Sequence, residues 1–121
     1  MKVFDYNSQS FHEKLWRDVQ VGDLLKIMKD EQFATDILFI KCSSKNGIGF
    51  VDTMNLDGET NLKEKLVTKE TQDIEEHKIY SMDGVIDCDP PNEFLEFFEA
   101  NVSTQDINAG KPFIARYLNF F

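Results

Sequence analysis

The sequence predicts a mainly β domain with one or two short helices, of the sandwich, jelly-roll or distorted-barrel kind. Three observations lead there. Short β-prone apolar runs recur at regular spacing, and turn dipeptides such as Asn46-Gly47, Asp57-Gly58 and Asp83-Gly84 separate them. The apolar content, 41% with eleven Phe, is that of a packed core, so the 29% charged residues are a solvated surface. At 121 residues the chain suits one domain and is too short for two of ordinary size.

Taken in order, residues 1–15 scatter Val3, Phe4, Tyr6, Phe11 and Leu15 among polar groups without a clean period, and are expected as a lead-in to a single domain over 16–121. Val19 and Val21, then Leu24, Leu25, Ile27 and Met28 beyond Gly22-Asp23, predict two short strands around a turn. The run Ile37-Leu38-Phe39-Ile40 predicts a strand buried on both faces. Asn46-Gly47 then predicts an antiparallel hairpin of 36–42 with 48–54, whose second strand runs into Asp57-Gly58-Glu59.

Leu62 and Leu66 fit a helical turn or a strand equally, and 68–72 reads as loop. Asp73, with Glu76 three residues on, opens a short helix to about Ser81 in capping-box style. Val85-Ile86-Asp87-Cys88 follows, and Pro90-Pro91 breaks any regular element. Phe94, Leu95, Phe97 and Phe98 fit a helix stripe or a strand, in either case core or interface. The apolar end, Tyr117-Leu118-Asn119-Phe120-Phe121, reads as a chain that continues.

Charge narrows the function classes. With thirteen basic residues scattered among twenty-two acidic ones and a net charge of −9, the chain lacks the clustered cations that bind nucleic acid or an anionic membrane. A basic or metal-bearing protein surface is the better counterpart. Cys42 and Cys88 lie far apart with no CxxC, which favours reduced thiols in a cytosolic setting. His12 and His77 have no partner at ligand spacing, so no metal site is expected, and no run reaches the roughly 18 apolar residues of a membrane span.

No nucleophile elbow, P-loop or dinucleotide fingerprint is present; Gly47-Ile48-Gly49 is a hairpin feature, and Glu75-Glu76 is a solvated acidic face. What remains is Asp57-Gly58-Glu59-Thr60, where an Asp-Gly turn presents Glu59 at the tip of a reversal. On spacing alone an ordinary surface hairpin is the simpler reading. A lone carboxylate does not make an enzyme, and if it acts it acts on something brought to it.

Longer motifs change the odds. Trp16-Arg17-Asp18-Val19-Gln20-Val21-Gly22-Asp23 resembles the W-x-x-V-x-V-G-D entry to the actuator domain of P-type ATPases, and Ala34-Thr35-Asp36-Ile37-Leu38 stands where that family has P-A-D-L-L. Asp52 to Lys63, through Leu56-Asp57-Gly58-Glu59-Thr60-Asn61-Leu62-Lys63, is similar to the L-D-G-E-T-N-L-K form of the phospholipid-transporting (flippase, type IV) class, where cation pumps carry a T-G-E loop. Gly84 to Asn92, with Leu95 and Phe98, resembles the flippase G-x-I-x-C-x-x-P-N-x-x-L-x-x-F stretch. The resemblance covers about residues 16 to 101 and departs at Ala34, for a Pro, and Ala100, for a Gly, both expected at turns.

The resemblance implies a distorted jelly roll of double-stranded β-helix type that swings onto a phosphorylated aspartate in another domain. There Glu59 orients and partly deprotonates the attacking water while Asp57, Gly58 and Thr60 support the loop. A glutamate ionised at neutral pH only accepts hydrogen bonds, as that task demands. It implies as partners the phosphorylation and nucleotide-binding domains of the same polypeptide, an accessory membrane subunit, and a phospholipid held by membrane helices outside this chain. ATP and Mg²⁺ belong to the parent and no cofactor to this domain, which sits at the cytosolic face of a membrane and is inactive alone. The alternatives are a β-rich interaction module whose Asp-Gly-Glu turn is purely structural, and a cation-pump actuator, which Asp57 and Asn61-Leu62-Lys63 disfavour.

Overall fold

The computed structural model describes residues 1–90, 93, 98–105, 107 and 113–117. The fold is mainly β, as the spacing of the runs predicts, with helices of only four to six residues. It divides into two compact units, Met1–Asp36 and Ile37–Phe121.

In the first unit, β1 (Lys2–Asp5) pairs antiparallel with β2 (Ser10–Glu13) on one side and β3 (Leu25–Lys26) on the other. Residues 1–15, expected as a loose lead-in, therefore hold two of the unit's strands. Val3 and Phe4 supply the reason: both are almost fully buried, and the Phe4 ring meets Tyr6 and Phe11 edge-on at 5.2 Å. Asp5 closes the hairpin by accepting the Asn7 and Ser8 backbone N–H groups. The strand expected around Val19 is instead a 3₁₀ turn at Trp16–Asp18, followed by a turn in which Asp23 accepts the Gln20 N–H at 3.0 Å.

The second unit contains the two-stranded sheet of β4 (Ile48–Val51) and β5 (Lys63–Leu66), and a three-stranded sheet in the order β6 (Gly84–Cys88), β7 (Phe98–Thr104), β8 (Phe113–Tyr117). The predicted hairpin of 36–42 with 48–54 does not form. Residues 36–42 lie in no described strand, and β4 pairs with β5, from Ile48 opposite Leu66 to Val51 opposite Lys63. The polar groups of 41–44 find other partners. Lys41 Nζ donates to the carbonyls of Gln72 and Ile74, while the Gln72 side chain donates to the Ser44 carbonyl and accepts the Cys42 N–H. Leu38 and Phe39 turn to the core, packing with Ile74 and Met82 against Val102 and Ile107.

Between β4 and β5 runs α1 (Met54–Asp57); α2 (Lys69–Gln72) and α3 (Glu76–Ser81) follow β5. The stretch around Leu62 and Leu66, open between helix and strand, is strand from Lys63 to Leu66, and the loop expected at 68–72 contains α2. The helix expected from Asp73 begins at Glu76, and its N-cap position, Glu75, makes no side-chain cap bond. Ala100 sits inside β7 with 1% exposure, not at a turn. Pro91, Asn92, Phe94, Leu95, Phe97 and Leu118–Phe121, on which sequence expectations also fall, lie outside the described residues.

Candidate functional site

The Asp57-Gly58-Glu59-Thr60 stretch forms the connection of the β4–β5 pair. It is not a two-residue hairpin turn. Asp57 ends α1, and Gly58 caps it in the left-handed conformation, with φ +73 and its N–H donating to the Met54 carbonyl at 2.9 Å. A Cβ built on Gly58 would meet nothing within 4 Å, so the glycine is there for its dihedral and not for want of room.

Asp52, Asp57 and Thr53 tie the reversal together. Asp52 accepts the Met54 N–H at 2.9 Å and so starts the helical turn. Asp57 Oδ1 accepts the Glu59 N–H at 2.9 Å, an Asx turn that fixes the backbone beneath Glu59. The Thr53 hydroxyl, 2% exposed as a residue, donates to both Asp57 carboxylate oxygens at 3.0 Å and anchors that aspartate to the packed part of the unit. The Glu59 N–H and then Thr53, with a smaller push from Lys63, hold the Asp57 carboxyl below the ordinary 3.8. Asp57 is committed to the backbone, and Glu59 is the carboxylate that the loop offers outward.

The Glu59 side chain is 56% exposed, and Lys63 Nζ donates to its Oε2. Thr60 is exposed, its hydroxyl bonded to no described residue. Lys63 opens β5, opposite Val51 and on the same face as Gly49 and Lys65. Burial, and secondarily the Lys63 charge, push the Lys65 ammonium below its ordinary value. Depressions of about 440 Å³, lined by Asp73, Ile74, Glu75, Lys78 and Met82, and about 260 Å³, lined by Val3, Phe4, Asp5, His12 and Lys14, contain no residue of the loop. Glu59 thus lines neither depression and stands exposed on a braced loop.

Thr53 and Lys63 belong to the matched motif, yet the sequence reading assigns them no role. Met54, Leu56 and Leu62, around the same loop, are exposed, at 47 to 60%.

No protein-family model matches the chain. Known proteins do. It is 38% identical over 103 residues, 84% of its length, to a probable phospholipid-transporting ATPase 4 of Arabidopsis thaliana. It is 35% identical over 96 residues, 78% of its length, to the phospholipid-transporting ATPase tat-1 of Caenorhabditis elegans. To the phospholipid-transporting ATPase FetA of Mus musculus it is 38% identical over 90 residues, 73% of its length. The chain spans about 8% of the length of each. By these matches the chain belongs to the phospholipid-transporting P-type ATPases, the flippase class.

Proposed function

We propose that the chain is the actuator domain of a phospholipid-transporting P-type ATPase, and that Glu59 drives hydrolysis of an aspartyl-phosphate formed on another domain of the same polypeptide. The observation that carries this is the Glu59 carboxylate itself, more than half exposed on a loop whose backbone is tied down at Gly58 and at the Glu59 amide. Such a group suits a substrate that is brought to it.

When the loop is seated, Glu59 accepts a hydrogen bond from a water and takes its proton as the water oxygen attacks phosphorus. The P–O bond to the aspartate breaks, and inorganic phosphate and a free carboxylate result. Asp57 holds the Glu59 amide, Gly58 supplies the left-handed turn, and Thr60 faces the solvent side. The exposed Met54, Leu56 and Leu62 suit a surface that the phosphorylation domain covers when the loop is seated.

The rest of the pump supplies ATP and Mg²⁺ chemistry, the nucleotide-binding domain, the lipid path and any accessory membrane subunit. This domain works at the cytosolic face, and alone it has no phosphoryl group to act on. Among the described residues no helix is long and apolar enough to cross a membrane. Coupling to lipid movement follows because the phosphoenzyme must be hydrolysed before the cycle can restart.

The test is Glu59→Gln in a full-length pump carrying this chain. Phosphoenzyme should form from ATP and accumulate, with lipid-dependent ATPase activity lost. Ordinary steady-state turnover in that variant would reject the assignment.

A further inference from the structure

We propose that Lys63 is the positioning residue for Glu59: from the fixed end of β5 it holds one carboxylate oxygen so that the other is aimed at the attacking water. The inference rests on the reading of Glu59 as the water-orienting group, and it adds a residue to which the sequence gives no role.

The geometry divides the pair into a fixed and a mobile partner. Lys63 is the first residue of β5, registered opposite Val51, and its side chain is only 25% exposed. Its stem is packed and its ammonium is delivered at one place. Glu59 lies in the connection and its side chain is 56% exposed. The Asx turn fixes its backbone, but nothing in that turn restrains the three torsions of its side chain. Lys63 Nζ engages Oε2, and among the described residues Oε1 has no partner. The carboxylate is thus held by one oxygen and presented by the other.

That arrangement matches what in-line attack requires. A water-orienting carboxylate must be placed to within a fraction of an ångström, and a misplacement of about 1 Å costs on the order of a hundredfold in rate.

The experiment measures the decay of phosphoenzyme in the full-length pump after an ATP chase, for Lys63→Met, Lys63→Arg, Glu59→Gln and the double variant Glu59→Gln/Lys63→Met. Lys63→Met keeps the packed stem and should slow decay by about tenfold with phosphoenzyme formation unchanged, and Lys63→Arg should recover most of that loss. The double variant should decay no slower than Glu59→Gln alone, because the positioning role runs through the Glu59 carboxylate. Lys63→Gln serves as a second neutral variant should Lys63→Met fail to fold. Wild-type decay in Glu59→Gln would overturn the function proposed above, and this inference with it. A stalled Glu59→Gln beside wild-type decay in the neutral Lys63 variants, or Arg no better than Met, or an additive double variant, would overturn the positioning role alone.

Discussion

Gly58 and Asp57 are the residues on which the loop's shape depends, and each has its own measurable signature. At Gly58 the backbone is left-handed and the space beyond is open, so substitution is opposed by conformation and not by clash. Gly58→Ala should cost about 1 kcal/mol in urea unfolding, with Gly58→Asn recovering part of it. An alanine variant as stable as the glycine would mean that the reversal adopts another conformation. For Asp57 the sign follows from its lowered pKa. Its ionised form supports the loop above the ordinary 3.8, and that support is lost as pH falls through the lower folded-state value. The Glu59 amide should therefore keep its hydrogen-exchange protection down to pH 3.8 and lose it on further acidification, and Asp57→Asn should abolish that transition. A Glu59 amide indifferent to acid would show that the Asx bond is absent in solution.

At the scale of elements, the decisive unit is the β4–β5 pair with α1 between its strands. The sequence made the Asp-Gly reversal legible because a left-handed position after a short polar helix end strongly favours glycine. Asn46-Gly47 was legible too: Gly47 has φ +70 and the Ile48 N–H donates to Asn46 Oδ1. The pairing was not. A turn dipeptide says that the chain reverses, but which strand lies alongside depends on who satisfies the remaining backbone groups. Here Lys41 and Gln72, some thirty residues apart in the chain, hold the segment that would have paired with β4. Strand β7 was hidden for a related reason, since the polar Asn101, Ser103 and Thr104 leave no apolar run, while Ala100, Val102 and Thr104 are buried in a sheet. That sheet is tightly closed at Gly84, where an added Cβ would lie 2.6 Å from the Ser103 carbonyl oxygen. Gly84→Ala should destabilise the chain by about 1–3 kcal/mol in thermal unfolding, and an unchanged midpoint would contradict the β6–β7 register.

For the whole molecule, the family was legible and the packing was not. The motif from Asp52 to Lys63 placed the loop in the flippase class before any geometry, and the matches to phospholipid-transporting ATPases agree with it. The ion pair between Glu59 and Lys63 and the Thr53 anchor needed the structure, because they depend on where α1 ends and β5 begins. The chain spans about 8% of the length of its relatives, and in the function proposed above it supplies one step of a longer cycle. Its central claim concerns that step: Glu59 accelerates loss of phosphate from the aspartyl-phosphate and has no part in forming it. The measurement that bears on it most directly is the first-order decay of radiolabelled phosphoenzyme in the full-length pump after a chase with unlabelled ATP. Glu59→Gln should phosphorylate to the wild-type level and decay at least about a hundredfold more slowly. Decay at the wild-type rate would contradict the account.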